Sequence, residues 1–495
     1  MSAVFINPQL YVQKNDKFTT GIIYMPIVLA YLISHFKKNN ININLFDLYG
    51  MSPKKCKKNN NSLIFGCDIN EIDQNILKNA NCFFVYANQV ANHLSVINIV
   101  NFLKINFTDK PIVVLENSQA VTSYSLSKIR NEFLDIGCDY IVIGDLEIPA
   151  LELYKNINNE KKIKNIKGLI SKRFSNDKIN FVENLDSLQF PAWDEFPLKN
   201  YWELGYSHGP LSNEKYLPML TSRGCPYPCN FCVIPKTNER KWRSRTPQNI
   251  VDELVYWKKK LGVQEFHFED LNPTVNDRRT KELCNLIIQN DIKIDWKIVA
   301  GTKVESIKDE ETIELLSKAG CKYISISPES GSKNIMESIS KPFNYDHALK
   351  SVKKMNEKKI FTQACFIIGY PDESKDDLIK TRKMIFDLTK RGIDEIAIFI
   401  ITPIPGSNIY DKFKDFGSLS NLTFTPSWRK DYKKLYKERL LMYLIFLCTK
   451  FLFHPIKIFK QTINFFRKKF DTKMEMVPYK VLKLKSFENA KKYKN

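Results

Sequence analysis

Apolar and polar positions along this chain alternate in two successive series. In the first, short β-branched or aromatic runs recur at AVFIN (3–7), INLFD (43–47), CFFVYA (82–87), PIVVLE (111–116) and YIVIG (140–144), the continuous apolar pattern of buried strands. Between them, Pro26 to Phe36, Asn70 to Lys78, Val90 to Leu103 and Leu126 to Leu134 repeat apolar residues at three and four, as helices covering a sheet do. Five strands alternating with helices predict an α/β fold with a doubly wound, mostly parallel sheet over residues 1–160. Ligands of such sheets bind beyond the C-terminal strand ends.

From 161 to 210 the pattern breaks. GLISKRF and INFVENL read as a hairpin around Asn176-Asp177, and LDSLQFPAWDEFP (185–197), rich in Pro and aromatics, reads as a linker packed against both neighbours. A second series fills 211–418. Strands are expected at Tyr216 to Thr221, Glu265 to Glu269, Asp295 to Ala300, Lys322 to Ser327, Thr362 to Ile368 and Glu395 to Ile400. The helices expected between them are Pro247 to Leu261, Asp277 to Gln289, Asp309 to Lys318, Tyr345 to Lys358 and Lys375 to Thr389. Six such units predict a partial (β/α)6 barrel, smaller than the closed eight-unit form. The last stretch, 419–495, is expected to be a basic, apolar helical extension. Its apolar run from Leu440 to Phe453 is too short to span a bilayer. It reads either as helices packed on the barrel or as an amphipathic surface for anionic membrane.

Composition changes this picture only locally. The chain has 495 residues, 43% hydrophobic, enough for several cores. The first residues lack a basic start and apolar core, so no secretory signal is expected and the compartment is read as cytoplasmic and reducing. The net charge is +21, but from Arg429 onward 19 Lys and Arg face 5 Asp and Glu, so 14 of those charges sit in the tail. The remainder is nearly balanced, and a nucleic-acid partner is not expected.

Eleven cysteines are scattered, except in TSRGCPYPCNFC (221–232), where Cys225, Cys229 and Cys232 stand as C-x3-C-x2-C. Three thiolates in eight residues can hold three irons of a cubane. Such clusters normally take four cysteines, so one iron is left for a small molecule. Zinc, with His208 or Cys284 as a fourth ligand, is the other reading, although zinc sites usually pair C-x2-C twice.

Arg223-Gly224-Cys225 and the three-cysteine loop resemble the radical S-adenosylmethionine (SAM) enzymes. SPESGS after strand four, IIGYPDES after strand five and ITPIPGS after strand six resemble that family's further landmarks, in order. The resemblance assigns Cys225, Cys229 and Cys232 to a [4Fe–4S] cluster and Phe231, Glu269, Ser327, Glu329 and Gly369 to SAM. The first domain resembles the cobalamin-binding domain that precedes many such barrels, as in the anaerobic magnesium-protoporphyrin ester cyclase and the cobalamin-dependent methylases. That resemblance gives Asn7, Asn88, Ser118, Gly144 and Glu147 to cobalamin. It departs at Glu116, where the family usually has glycine and where a side chain would meet a corrin.

What the resemblance implies is reductive cleavage of SAM to a 5′-deoxyadenosyl radical, for cobalamin-dependent C-methylation of an unactivated carbon. The alternatives are radical cyclisation or rearrangement without cobalamin, methylthiotransferase-like RNA modification, or a non-catalytic iron–sulfur protein. The expected partners are a small-molecule substrate, lipid-like if the tail touches membrane, and a low-potential donor such as ferredoxin or flavodoxin. The residues that carry the hydrogen abstraction are left unassigned.

Overall fold

The computed structural model describes residues 2–14, 16 and 21–490. Five strands, Ser2–Asn7, Ile43–Asp47, Ala80–Ala87, Ile112–Glu116 and Tyr140–Val142, form a parallel sheet in the order two, one, three, four, five. This is the doubly wound order whose switch point lies between strands one and three. Strands one, three and four are buried on both faces apart from Asn81, as their unbroken apolar runs require, while the edge strand is half-buried over 43–45.

Three local expectations are corrected. The hairpin turns at 172–173, not at Asn176-Asp177: Ser171 Oγ accepts from the N–H groups of Arg173 and Phe174, and strands Leu169–Ser171 and Ser175–Asn176 extend the first sheet antiparallel. The second half of the expected hairpin is not a strand, because the N–H of Val182 donates to Asp145 at 2.8 Å instead of to a ladder. Only Asn131–Leu134 of the expected helix over 126–134 is helical. The N–H groups of Ser125 and Leu126 go elsewhere, to Pro405 O and the Glu116 carboxylate. The expected helix over 70–78 is split, because Asp68 and Asp73 each cap a separate short turn. A small antiparallel sheet of Leu10–Gln13, Ser62–Phe65 and Cys56–Asn59 was not foreseen.

The barrel strands are Tyr216–Met219, Glu265–Phe268, Asp295–Thr302, Cys321–Glu329, Phe361–Ile368 and Glu395–Ile400, all parallel and in sequential order. The sheet is open, with strand one at one edge and strand six at the other. The helices between them have firm ends. Thr246 caps Pro247–Leu261 through Asn249 N–H, Gly262 ends it at φ +70°, and Ser374 makes a reciprocal capping box with Asp377.

The linker aromatics pack on both units, with Phe190 against Tyr256 of the first barrel helix and Ala192 N–H bonded to Ala30 O of the first domain. The tail is three helices, Tyr432–Phe453, Pro455–Arg467 and Lys473–Asn489. The first lies along strand six, where Tyr443 OH accepts the N–H of Ile398 at 3.2 Å, so the open edge is covered. Among the described residues no single helix is long and apolar enough to cross a membrane; the first two tail helices, bent by 109°, satisfy length and composition only together.

Candidate functional site

The cysteine loop leaves the end of barrel strand one and is held from below and from the first domain. Asp270 accepts from Thr221 N–H (3.0 Å), Thr221 Oγ1 (2.7 Å) and Ser222 Oγ (2.6 Å). Arg279 donates to Thr221 O at 2.6 Å. Gly224, at φ +79°, is required at its position: a Cβ there would meet Lys241 O at 1.9 Å. Its N–H donates to Gln119 Oε1 at 2.9 Å, and Gln119 in turn bonds Asn238.

Arg223 is clamped by Glu147 in a fork, with Nη1 to Oε2 at 3.1 Å and Nη2 to Oε1 at 2.6 Å; Asp145 lies 3.3 Å away and also pairs with Arg243. The side chains of Arg223 and Glu147 are 3% and 0% exposed, so this pair stands or falls as a unit. Strand ends four and five of the first domain therefore position the loop that carries the cysteines.

A cavity of about 820 Å³ lies beyond these strand ends, walled by both domains and the tail. Cys225, Cys229, Cys232, Phe231, Glu269, Ser327 and Glu329 line it, as does Asn88. Gly369 does not. It turns at φ +84° against Leu435 and Arg429, which donates to Gly369 O at 2.9 Å. Of the positions the resemblance gave to cobalamin, Asn7 bonds Asp47 at 2.8 Å, Ser118 donates to Gly144 O at 3.1 Å, and Glu147 holds Arg223.

Glu116 fills the space expected of glycine. It accepts from Leu126 N–H at 2.8 Å and Gly144 N–H at 3.1 Å, and burial pushes its carboxyl up to about 7. Only a small pocket of about 170 Å³ remains beside it.

The cysteines are free thiols, and burial raises the pKa of all three, Cys225 to about 11. Thiolates in such surroundings call for a cationic partner. Among the described residues no three His, Cys, Asp or Glu side chains converge on a single metal ion. Zinc would gather its ligands within about 2.3 Å of one ion, whereas in a cubane each iron takes its own thiolate. Cys284, weighed as a fourth zinc ligand, is buried in the core, while His208 Nδ1 lies 2.7 Å from Glu269 Oε2. Cys56, Cys67, Cys82 and Cys138 are all buried.

Lys341 is an addition that spacing did not reveal. Its ammonium is buried, bonded to Glu329 Oε1 at 2.5 Å and Ser327 O at 2.8 Å. Burial opposes that charge, but the Glu329 carboxylate, joined by Cys229 and Cys225 when these are thiolates, outweighs it and holds the amine protonated. Glu329 is at φ +61°, a conformation uncommon outside glycine, which turns its carboxylate toward the lysine. Oε1 of Glu269 and Oε2 of Glu329 take no hydrogen bond among the described residues. Two carboxylate oxygens on the cavity wall fit the ammonium and ribose hydroxyls of SAM. Phe231, edge-on to Tyr370 at 6.1 Å, offers an apolar surface for adenine.

Residues 219–385 match the Radical SAM superfamily. An uncharacterized methyltransferase of Pyrococcus horikoshii is 28% identical over 59% of this chain and 61% of its own length. The cytidylyl-2-hydroxyethylphosphonate methyltransferase of Streptomyces wedmorensis is 27% identical over 48% and 44%. The chain thus spans about half the length of the curated relatives it matches. The radical SAM methyltransferase TsrM of Kitasatospora setae, solved with cobalamin and a [4Fe–4S] cluster, shares the fold at TM-score 0.61 and 15% identity, over 83% of this chain and 74% of that one. The matched segment begins on barrel strand one, runs through the cysteine loop and ends in the last barrel helix, so it is the barrel of this chain that matches the radical SAM superfamily.

Proposed function

We propose that the chain is a cytoplasmic radical SAM methylase that uses cobalamin to methylate an unactivated carbon. The observation that carries this reading is the shared cavity: Asn88, Asn117 and residues 119–122, at the strand ends of the first sheet, face the cysteine loop of the second. That wall, with Ala120, Val121 and Thr122 on it, gives a flat cofactor a place to lie. The names of the relatives support methyl transfer, and TsrM holds both groups on the same fold.

When bound, the cluster and SAM supply a 5′-deoxyadenosyl radical, and cobalamin supplies the methyl group. The chain's own residues do the rest. Glu269 and Glu329 orient SAM, Lys341 offsets the negative charge of a thiolate-ligated cluster, and the buried walls exclude water. Electrons come from a ferredoxin or flavodoxin. A second reading, radical cyclisation without cobalamin, is favoured by one observation: Glu116, Ser118, Gly144 and Glu147 are all engaged with the protein itself. Anaerobic incubation with SAM and strong reductant tests the shared core of both readings. Release of 5′-deoxyadenosine is expected, and an intact cluster that releases none would make this a non-catalytic iron–sulfur protein.

We also propose that the tail touches anionic membrane. Leu444, Phe451, Ile456 and Phe459 are 57%, 69%, 81% and 70% exposed on the two bent helices, and Leu440, Leu447 and Phe466 extend the same apolar surface. Exposed Arg467, Lys468 and Lys469 follow directly, the charge an anionic lipid surface would attract. In liposome flotation at low salt, the full chain is expected to rise with vesicles containing phosphatidylserine. The F451D/F459D double variant is expected to lose at least tenfold in bound fraction. A wild-type chain that stays at the bottom overturns this location.

A further inference from the structure

The cavity does not stop at the strand ends. It reaches down the barrel to Gln363 and Glu395, at the starts of strands five and six, and out to the tail helices. There it changes character. Tyr443, Met476 and Val477 make an apolar wall, and three cations from the tail, Arg439, Lys473 and Lys480, line the same arm. Arg439 is 6% exposed, its guanidinium lies 5.1 Å from the centre of the Tyr436 ring, and its Nη1 has no hydrogen-bond partner. Lys480 is equally buried and faces Asp16. Lys473 Nζ is 3.4 Å from Gln363 Oε1.

The acids of this arm are two. Asp16 accepts from Thr425, and Glu395 accepts from Tyr323 OH at 2.5 Å and Met474 N–H at 2.7 Å. Three cations against two carboxylates leave an excess of positive charge beside an apolar wall. A buried guanidinium N–H without an acceptor is costly, so this arm is built around an acceptor that the protein does not supply.

We propose that this arm seats the substrate of the radical reaction and that the substrate is an amphipathic anion. Its apolar body lies along Tyr443, Met476 and Val477, and its carboxylate or phosphate rests on Arg439, with Lys473 and Lys480 completing the charge. The inference rests on the radical SAM reading for the word substrate, while the anion site stands on the arm's own residues. It also gives the tail a role in selecting what enters, distinct from its outward face.

The test is calorimetric titration of the cluster-loaded full chain with dodecanoate, dodecyl phosphate and the uncharged dodecanol, each as monomer. The two anions are expected to bind at least ~10-fold more tightly than dodecanol. Arg439→Gln is expected to weaken the anions by a similar factor and leave dodecanol unchanged, with partial recovery in Arg439→Lys. If Arg439→Gln does not fold, as judged by its thermal midpoint, Lys473→Gln takes its place with a loss of several-fold expected.

Equal binding of dodecanol, or anion binding that ignores both substitutions, overturns the proposal. Release of 5′-deoxyadenosine, measured on the same wild-type sample, separates the two claims. Release without anion preference defeats this inference alone. Anion preference without release defeats the radical reading and leaves an anion-binding protein.

Discussion

With Cys229 replaced by alanine and the protein reconstituted anaerobically, 5′-deoxyadenosine release is expected to fall to background and the cluster's visible absorbance to disappear. The loss exceeds the roughly 10–100-fold that follows removal of a group merely supporting a metal ligand, because one of three irons loses its only protein ligand. Cys229 is buried in the loop, its carbonyl accepts the N–H of Cys232 at 3.2 Å, and no other cysteine lines the loop side of the cavity except its two companions. Cys365, which lines the cavity deeper in the barrel beside Ser325 and Gln363, serves as the control. Cys365→Ser keeps iron and release near wild type. Full iron content in Cys229→Ala would show that the cluster sits elsewhere.

The second large effect is on stability and comes from a residue that the resemblance had given to cobalamin. Glu147→Ala leaves the Arg223 guanidinium buried beside a single carboxylate, Asp145, which already serves Arg243. Breaking a buried pair from one side costs about 3–5 kcal/mol, which for a chain of this size lowers the thermal midpoint by roughly 3–5 °C. Iron retention is expected to fall as well, since Arg223 and Gly224 set the entry to the cysteine loop. Glu152→Ala, an exposed carboxylate on the same helix, is expected to leave the midpoint within about 1 °C. A Glu147→Ala midpoint indistinguishable from wild type would mean that the first domain does not hold the loop.

The two effects mark where the sequence was readable and where it was not. Period and landmark order located the strands of both sheets, because a strand buried on both faces writes a continuous apolar run and a barrel places polar motifs after each one. The cysteines, Phe231, Glu269, Ser327 and Glu329 lie within or next to such motifs, and the structure brings them to one cavity. Pairings across long separations leave no periodic trace. Glu147 meets Arg223 76 positions away, and Lys341 meets Glu329 from beyond an intervening helix.

Arg439 read as one more basic residue in a basic tail; only its burial on the cavity wall, with Nη1 left without a partner, singles it out. The misplaced helices over 70–78 and 126–134 have the same origin. Their apolar spacing is real, but Asp73 captures the N–H of Asn75 that a continuous helix over 70–78 would use, and residues 126–130 form turns instead of joining the helix at Asn131.

Lys341 links the site's electrostatics to the account of the cluster. A buried ammonium held by Glu329 beside the cysteine loop counters part of the charge that three thiolates bring, and it does so without donating to a sulfur. The tail, for its part, covers the open edge of strand six with one face, walls the cavity with Arg439, Tyr443 and Lys473, and keeps an apolar surface outward.

The central claim is that the facing strand ends of two sheets make one chamber for a cluster and a corrin. It is tested most directly by purifying the chain anaerobically from cells supplied with cobalamin and measuring corrin and iron per chain. The account predicts roughly one corrin beside roughly four irons. Four irons with no corrin would contradict it, and would mean that Glu116 and the residues it clamps have closed the first domain to the cofactor.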